Sequence, residues 1–352
     1  MTQSGLSLLM GAVKGLKYIF VAMISLTVIA LMGYCLFQTG QEASVAAEQS
    51  HRSFSDSEKV ILCYEDLSNF THKWVNDLPI IYFITPTYPR REQIPEITRL
   101  GQTLMHVQNL HWIVADDNIE CNPTLVRFLK RFGIPLTVMA TPMPKKFWKR
   151  DKTRLPRGVA NRRAALDWVR KNGRTNGVLY FGDDDNTFDL QLFHEIRYTK
   201  KVSMLPVGLI GDFGVSSPVV KEGKVIGFFD SWPVDRKFPI DMAGFAVSVE
   251  FFKNIPEASM PYKVGYEEDM FLKSLSLRLE DIEPVADHCT KILVWHTQTS
   301  KKPPGKLFLA HKESHTSLDG LLDQLYDYGV ASIDNKTGVK TYYTKQSGRT
   351  EV

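Results

Sequence analysis

The stretch GVLYFGDDDNTF, residues 177–188, decides the fold, because it joins a buried strand directly to three adjacent acids. The run GVLYF, residues 177–181, is short, apolar and partly aromatic, a pattern typical of a strand buried on both faces. Asp183, Asp184 and Asp185 follow this run after a single glycine. Ligands collect beyond the carboxyl ends of parallel strands, so the stretch predicts both a parallel sheet and a site at its edge.

Upstream of this stretch, strand patterns and helix patterns alternate. Short apolar runs predict strands, and apolar residues at three- and four-residue spacing predict helices. The predicted elements are a strand at 79–85, a helix at 94–107, a strand at 111–117, a helix at 125–132, a strand at 134–140 and a helix at 159–171. This alternation predicts a Rossmann-like α/β fold with a mainly parallel sheet and helices on both faces.

Outside this region the pattern changes. The polar, Ser-rich residues 38–77 predict a stem, with folding expected to begin near Leu78. Downstream, a helix is expected near Asn186, and VVKEGKVIGFF, residues 219–229, predicts a hairpin that turns at Glu222-Gly223. The second half is therefore expected to be more antiparallel and mixed, and it is followed by a polar C-terminal tail without a clear pattern.

The N-terminal region predicts a membrane anchor. Residues 18–37 carry no charge, and twenty helical residues match the roughly 30 Å hydrocarbon core of a bilayer. Lys14 and Lys17 precede the run, which places the N-terminus in the cytoplasm and the rest of the chain in the lumen. A cleaved signal peptide is the alternative, although its apolar region is usually shorter. Sequons at Asn69 and Asn335 agree with a lumenal location.

Charge and cysteine content exclude other classes. The net charge of +4 is too small to indicate a nucleic-acid partner, and none is expected. Outside the apolar run the chain has Cys63, Cys121 and Cys289, an odd number without metal-site spacing. We therefore expect no disulfide framework, with Cys63 either free or paired between chains.

The three acids favour a divalent metal. Adjacent carboxylates repel one another unless a cation offsets their charge, and oxygen ligands suit Mg²⁺ or Mn²⁺. An EF-hand loop is excluded because its required glycine would be Phe188, and helix capping would need only one acid. A phosphatase of the haloacid-dehalogenase type remains an alternative, since Asp183-x-Asp185-x-Thr187 fits its nucleophile motif. In that fold the motif normally follows the first strand, whereas here at least three strands precede it.

Several ordered motifs resemble one known family, the β-1,3-glucuronosyltransferases, which are type II Golgi proteins with the GT-A fold. The motifs are PIIYFITPTYPR (79–90), LPRGVANRRAALDWVR (155–170), YFGDDDNTF (180–188), PVGLIG (206–211), FPIDMAGFAV (238–247) and ILVWHT (292–297). The resemblance implies inverting transfer of glucuronic acid from UDP-glucuronic acid to a galactose-terminated glycan, with Mn²⁺ as the metal. It also implies a homodimer in the Golgi membrane.

The resemblance assigns roles on the donor side. It implies that Asp185 binds the metal and that Asp183 and Asp184 contact the ribose and the donor sugar. It places Tyr88 against uracil, Asp117 at the base, and His296 near the β-phosphate. The remaining donor-side residues are Arg157 and Arg162. Their position at a helix start independently favours an anionic ligand, because cations there oppose the helix dipole.

On the acceptor side the resemblance implies contacts by Trp232, Arg236 and Asp241. Inverting displacement needs one general base and no protein nucleophile. The resemblance places that base at Glu268, and spacing alone leaves Glu267 and Asp269 as alternatives.

Two departures from the family pattern concern the same site. Gln298 stands where the family commonly has arginine, which removes a fixed charge from the expected diphosphate site, and Ser216 stands where it often has an acceptor-binding glutamate. A catalytically inactive glycan-binding membrane protein on the same fold is therefore the alternative function. The expected organisation is a cytoplasmic tail (1–17), an anchor (18–37), a stem (38–77), a nucleotide-sugar-binding subdomain (78–186), an acceptor-binding subdomain (187–310) and a C-terminal tail (311–352).

Overall fold

The computed structural model of this chain describes residues 60–68, 74–147, 155–232, 234–299, 305–308, 317–334, 337–340, 342–345 and 348–351. All of them belong to one unit, Glu58–Val352. The predicted cytoplasmic tail and anchor, residues 38–59 of the predicted stem, and the sequon residues Asn69 and Asn335 lie outside the described residues. Among the helices of the described part, none has the length and apolarity to cross a bilayer.

The first half alternates strands and helices as predicted. Its elements are β1 (Ile61–Asp66), β2 (Ile80–Thr87), α1 (Gln93–Leu104), β3 (Leu110–Asp116), α2 (Pro123–Leu129), β4 (Leu136–Ala140), α3 (Val159–Asn172) and β5 (Gly177–Phe181). Strands β4, β3, β2 and β5 are neighbours in that order and pair in parallel. The chain moves from β2 to β3 on one side and returns to β5 on the other, so the order reverses between β2 and β5. Such a reversal creates a crevice beyond the carboxyl ends of the two strands.

The second half is mixed, also as predicted. Its elements are β6 (Thr187–Phe188), α4 (Gln191–Ile196), β7 (Val202–Met204), β8 (Val207–Gly208), β9 (Val215–Lys221), β10 (Lys224–Phe229), β11 (Phe245–Ser248), α5 (Val249–Lys253), α6 (Glu267–Ser274), β12 (Ile282–Pro284), α7 (Val285–Cys289) and β13 (Val294–Trp295). In the main sheet β11 runs antiparallel between β5 and β7. A second sheet has the order β10-β9-β8-β13-β6.

The hairpin of β9 and β10 confirms the predicted turn. Glu222 and Gly223 have φ values of 52° and 74°, and Lys221 pairs with Lys224 across them. Positive φ at both central residues gives the twist that a two-residue hairpin needs.

Two apolar clusters cover the two faces of the main sheet. On one face α1, α2 and α4 pack against side chains such as Phe83, Trp112 and Tyr180. On the other face α3, α5 and α6 pack against Tyr82 and Phe181. Successive residues of one strand face opposite clusters, as the period of a strand requires. The predicted α/β architecture with helices on both faces is confirmed.

Two expectations about local structure are wrong. Folding begins before Leu78, because β1 pairs antiparallel with β4 at the edge of the sheet. The edge strand β1 is half exposed and lacks the apolar run of a buried strand, which explains why sequence reasoning missed it. No helix begins near Asn186, since β6 follows there and pairs with β13.

The C-terminal region contains α8 (Ser317–Asp327) and the short strands β14 (Gly305–Phe308), β15 (Ala331–Ile333), β16 (Val339–Lys340), β17 (Tyr342–Lys345) and β18 (Gly348–Glu351).

The cysteine expectation is also wrong. Cys63 of β1 and Cys121, which follows β3, form a disulfide across a sequence separation of 58 residues. Cys289 is the free cysteine of the described residues. Spacing along the chain carries no information about such a pair, since the sheet brings the two residues together. The disulfide fixes the edge strand to the loop that begins at Asp117.

We expect Cys121→Ser to lower the free energy of unfolding by about 2–4 kcal/mol, because the unfolded chain loses a long closed loop. Guanidinium denaturation of the protein measures this difference. Cys289→Ser is the matched control and should change stability much less, since among the described residues its thiol makes one long hydrogen bond, 3.4 Å to the carbonyl of Met204. Equal stability of wild type and Cys121→Ser under oxidising conditions would contradict the assignment.

Candidate active site

A pocket of about 380 Å³ opens beyond the carboxyl ends of β2 and β5. We call it the central pocket. Its lining includes every residue predicted for the donor and the metal: Tyr88, Asp117, Arg157, Arg162, Asp183, Asp184, Asp185 and His296. Sheet topology brings these residues together from separate parts of the chain, at the place expected for a ligand in an open α/β sheet.

A slightly larger cavity, of about 420 Å³, lies at the opposite edge of the sheet, beside the start of β2 and β3. Its lining is mainly apolar and includes Trp74, Trp168 and His111. Burial lowers the pKa of His111 to about 3, so this imidazole is neutral. The cavity has no ionised acid in its lining, and we therefore place the chemistry in the central pocket.

An arginine that sequence reasoning did not single out holds Asp184. Arg90 donates from Nη2 to Oδ1 over 2.7 Å and from Nη1 to Oδ2 over 2.8 Å. The hydroxyl of Thr87 donates to the same Oδ2 over 2.6 Å. The side chains of Arg90 and Asp184 are only 9% and 7% exposed. A buried bidentate pair of this kind fixes Asp184 and neutralises its charge.

A second arginine pairs with Asp183. Arg162, in the first turn of α3, donates from Nη2 to Oδ1 of Asp183. Gly158 precedes the helix with φ +72°, and a Cβ there would lie 2.6 Å from Nη1 of Arg162. Glycine thus provides both the turn and the space for the guanidinium. The Nε of Arg162 is buried and has no hydrogen-bond partner among the described residues, so this arginine retains a donor for an anionic ligand.

Asp185 is the member of the triplet without an ion pair in the described part of the chain. Burial raises its pKa to about 6, and the charges of Asp183 and Asp184 add to that effect. Arg90 and His296 partly oppose the shift. Of the three carboxylates, only that of Asp185 is left for a ligand of opposite charge.

The residues present fit a divalent metal held largely by a bound ligand. Within the described residues there is no cluster of three or more His, Cys, Asp or Glu side chains that could hold a metal. Mg²⁺-type ions, however, are commonly bound through one or two carboxylates together with phosphate oxygens and water. An unpaired Asp185 beside arginine side chains matches that second kind of site.

Tyr88 follows β2, the neighbour of β5, and Asp117 follows β3, one strand further along the sheet. The guanidinium carbon of Arg90 lies 4.6 Å from the centre of the Tyr88 ring, which couples Tyr88 to the Asp184 pair. Oδ1 of Asp117 accepts a 2.7 Å hydrogen bond from the backbone N–H of Met143. Burial raises the pKa of Asp117, and the Met143 N–H and the charge of Arg157 oppose this rise. Both side chains are held in place, as recognition of a base would require.

His296 connects the central pocket to the acceptor side. Its Nδ1 lies 3.3 Å from Oδ2 of Asp241, close enough for an ion pair but not aligned for a hydrogen bond. The Asp241 carboxylate raises the pKa of His296 to about 9, so the imidazole is cationic at neutral pH. The amide of Gln298 lies 3.1 Å from Nε2 of His296. Both ring nitrogens of a cationic imidazole are donors, so the amide of Gln298 must present its oxygen to Nε2 of His296. His296 therefore supplies a positive charge beside the position where Gln298 lacks one.

Glu268 stands at the start of α6 with a perturbed carboxyl group. Burial raises its pKa to about 7, and the charges of Asp241 and Glu267 contribute to the rise. Oε2 lies 3.8 Å from Nη1 of Arg236. Asp269 is fully buried, with Oδ1 bound by the Phe238 N–H and Oδ2 by Lys273, which removes it as an alternative base.

The remaining acceptor-side residues divide into exposed and buried groups. Trp232 is 55% exposed, and its indole lies against Gly265, which shortly precedes α6. Arg236 is buried and pairs with Asp230 over 3.0 Å. Ser216 is fully buried and its hydroxyl accepts a hydrogen bond from the Asp241 N–H, so it cannot contact an acceptor. Only the tryptophan presents a broad surface.

Comparison with known proteins identifies the family. The family model "Glycosyltransferase family 43" matches residues 100–300, more than half of the chain. The galactosylgalactosylxylosylprotein 3-beta-glucuronosyltransferase S of Drosophila melanogaster is 53% identical over 298 residues, which cover 82% of this chain and 72% of the relative. The 3-beta-glucuronosyltransferase 2 of Homo sapiens is 44% identical, over 64% of this chain and 70% of the relative. The chain belongs to glycosyltransferase family 43.

Among solved structures, S. aureus TarS matches 62% of this chain and 60% of its own with 15% identity and a TM-score of 0.38, too low to support any argument.

Membership of family 43 makes the chain a glycosyltransferase and confirms the resemblance drawn from the motifs. The phosphatase alternative is therefore wrong, and its proposed nucleophile Asp183 is paired with Arg162. Sequence reasoning missed three residues of the candidate site, Thr87, Arg90 and Asp230. Arg90 lies in the same motif as Tyr88, but its partner Asp184 is 94 positions away in the sequence. No sequence pattern links two residues that are so far apart.

We expect Arg90→Ala to destabilise the protein by about 3–5 kcal/mol, because it leaves the buried Asp184 carboxylate unpaired. The double variant Arg90→Ala, Asp184→Ala should be less destabilised than the single variant, since it has no buried charge left. Urea denaturation of both variants measures the difference.

Arg127→Ala is the matched control, because Arg127 is exposed and its guanidinium donates to the hydroxyl of Thr124 at the surface. The central role assigned to Arg90 would be refuted if the two single variants lost the same small amount of stability.

Proposed function

We propose that this family 43 enzyme transfers glucuronic acid from UDP-glucuronic acid to a galactose-terminated glycan, with inversion and with Mn²⁺. The relatives' names describe 3-beta-glucuronosyltransferases of galactosylgalactosylxylosylprotein, which supports the donor sugar and the acceptor class. The observation that carries the proposal is the unpaired Asp185 in a pocket lined by arginines, with Glu268 on its acceptor side.

Asp185 would hold the Mn²⁺ ion, with the donor diphosphate completing the coordination. The bound ion supplies positive charge that offsets charge developing on the departing UDP. Arg90 and Arg162 keep Asp184 and Asp183 neutralised, so the triplet does not repel an anionic donor. This division leaves one carboxylate for the ion and two arginine-paired carboxylates as hydrogen-bond acceptors for ribose and donor-sugar hydroxyls.

Besides Arg90, three cationic side chains that line the central pocket suit an anionic donor. Arg157 and Arg162 lie at the start of α3, and His296 carries a positive charge because its pKa is raised. Guanidinium groups bind phosphate and carboxylate oxygens in a bidentate way. UDP-glucuronic acid carries a diphosphate and a carboxylate, and it is therefore a better match than a neutral UDP-sugar.

Glu268 would take the proton from the attacking hydroxyl of the acceptor. A general base is most effective when its pKa lies near the working pH, and burial raises that of Glu268 to about 7. Arg236, 3.8 Å away, orients the carboxylate and is itself fixed by Asp230. Inversion requires no protein nucleophile, in agreement with the arginine-paired state of Asp183 and Asp184.

We also propose a location in the Golgi lumen, with residues 18–37 as a type II signal anchor and Asn69 and Asn335 as glycosylation sites. The Cys63–Cys121 disulfide supports this location, because disulfides persist in oxidising compartments. Homodimer formation is part of the same proposal and rests on the family resemblance alone.

The deciding experiment is Glu268→Gln, assayed for UDP release from UDP-glucuronic acid with Mn²⁺ and a galactoside. We expect turnover to fall by about 10²–10⁴-fold, the usual contribution of a general base, while Mn²⁺-dependent UDP binding is retained. In the wild type, kcat/KM at low substrate should fall about tenfold per pH unit below the pKa near 7, because the base must be deprotonated.

Glu267→Gln is the control for this experiment and should keep turnover, while its pH profile moves to lower pH because the charge of Glu267 contributes to the raised pKa of Glu268. Unchanged turnover in Glu268→Gln would assign the base elsewhere. Donor binding without turnover in the wild type, whatever the galactoside, would favour the inactive glycan-binding alternative.

A further inference from the structure

Asp185 is held by two hydrogen bonds to its main chain. Its carbonyl oxygen accepts one hydrogen bond from Nη2 of Arg99 over 2.8 Å and another from the hydroxyl of Thr297. A carbonyl oxygen has two lone pairs, so these two donors satisfy it completely. The carboxylate of the same residue, in contrast, makes no ion pair within the described part of the chain. The peptide unit that follows the Asp185 side chain is therefore fixed, while the carboxylate stays available to a ligand.

A buried glutamate, Glu96, fixes Arg99. Both residues lie on α1, three positions apart, which places their side chains on one face of the helix. Nη2 of Arg99 donates to Oε2 of Glu96 as well as to the Asp185 carbonyl, so each of its two hydrogens has an acceptor. The side chain of Glu96 is 4% exposed, whereas that of Arg99 is 48% exposed. Glu96 thus anchors the inner end of a bridge from α1 to the acidic triplet.

The second donor belongs to the segment that follows β13. His296 and Gln298 of this segment line the central pocket. The residues that alternate with them, Thr297 and Thr299, make the hydrogen bonds that hold the segment. The hydroxyl of Thr299 donates to Oε1 of Glu96, the other oxygen of the carboxylate that fixes the arginine. One buried acid therefore holds both the arginine of α1 and the segment that carries Thr297.

A third threonine, Thr187, bonds to this arrangement. Its Oγ1 lies 3.0 Å from Oγ1 of Thr297, because β6, which begins at Thr187, pairs with β13. The proton of the Thr297 hydroxyl is directed at the Asp185 carbonyl, so Thr187 is the donor between the two threonines. Thr187 thus bonds to one of the donors and not to the Asp185 carbonyl itself, whose two lone pairs are already in use.

We propose that Arg99 and Thr297 are positioning residues for the divalent metal, which act through the Asp185 carbonyl and are held in place by Glu96. This inference rests on the proposed function and assigns residues that set its metal affinity. A metal ligand is effective when hydrogen bonds fix its position before the ion arrives, and loss of such a bond typically lowers metal affinity by about 10–100-fold. Because the Asp185 carboxylate makes no ion pair within the described residues, its position depends on the hydrogen bonds to its main chain.

The test titrates Mn²⁺ by calorimetry into the protein with excess UDP, and Mn²⁺ titrated into UDP alone is the blank. Thr297→Val removes the hydroxyl and keeps the size of the side chain, and we expect it to raise Kd for Mn²⁺ about tenfold. Thr297→Ser keeps the hydroxyl and should restore the wild-type Kd. In turnover with a galactoside, Thr297→Val should raise KM for Mn²⁺ and leave kcat at saturating Mn²⁺ unchanged. The melting temperature of the metal-free protein should also stay unchanged, which separates positioning from a loss of stability.

Thr187→Val is the matched control, because it removes a neighbouring hydroxyl and leaves both donors to the Asp185 carbonyl in place. It should leave Kd for Mn²⁺ unchanged. Arg99→Ala should raise Kd about tenfold as well. Arg127→Ala, which removes another exposed arginine with a hydrogen-bond partner three residues away, should not change Kd.

The inference would be overturned if Thr297→Val bound Mn²⁺ as tightly as wild type, or if Thr187→Val weakened binding by the same factor. A lower melting temperature of metal-free Thr297→Val would instead assign Thr297 a structural role. These outcomes leave the proposed function intact as long as the wild type binds Mn²⁺ with UDP. If the wild type bound no Mn²⁺ at all, the metal in the proposed function and this inference would both fail.

Discussion

The structure of the site depends on the pairing of two carboxylates with two arginines. Asp183, Asp184 and Asp185 stand at the end of β5, where three unpaired negative charges in a partly buried pocket would repel each other and any anionic ligand. Arg162 neutralises the first and Arg90 the second. The third carboxylate remains, and its raised pKa reports an environment in which a negative charge lacks compensation. In the function that we propose, a divalent cation bound with a diphosphate would provide that compensation.

The same arrangement separates the two halves of the reaction that we propose. The parallel half of the sheet carries the triplet and the arginines, whereas the mixed half carries Glu268, Arg236 and Trp232. His296 and Asp241 join the halves through a contact of 3.3 Å. Because Asp241 raises the pKa values of both His296 and Glu268, one carboxylate helps to keep a cation beside the donor and a base of suitable strength beside the acceptor.

Much of this arrangement could be predicted from sequence, for a physical reason. Strands β2, β3 and β5 are buried on both faces, so their apolar runs are continuous and bounded by turns, and the acids that end β5 had to lie at the sheet's edge. Sequence could not show that β1 belongs to the sheet or that Cys63 meets Cys121, because an edge strand has no continuous apolar run and pairing depends on topology. Arg90 was missed for the same reason, since it and its partner Asp184 are distant in the chain. The anchor, the sequons and the assembly of the protein stay predictions.

The central claim is that Asp185 alone among the three acids is available to a metal. Anomalous diffraction at the manganese edge, from crystals of the unit Glu58–Val352 grown with UDP and Mn²⁺, tests it most directly. The account predicts one anomalous peak at a distance on the order of 2 Å from the Asp185 carboxylate, with Asp183 and Asp184 still paired to their arginines. A peak ligated by Asp183 or Asp184, or none in the central pocket, would contradict it.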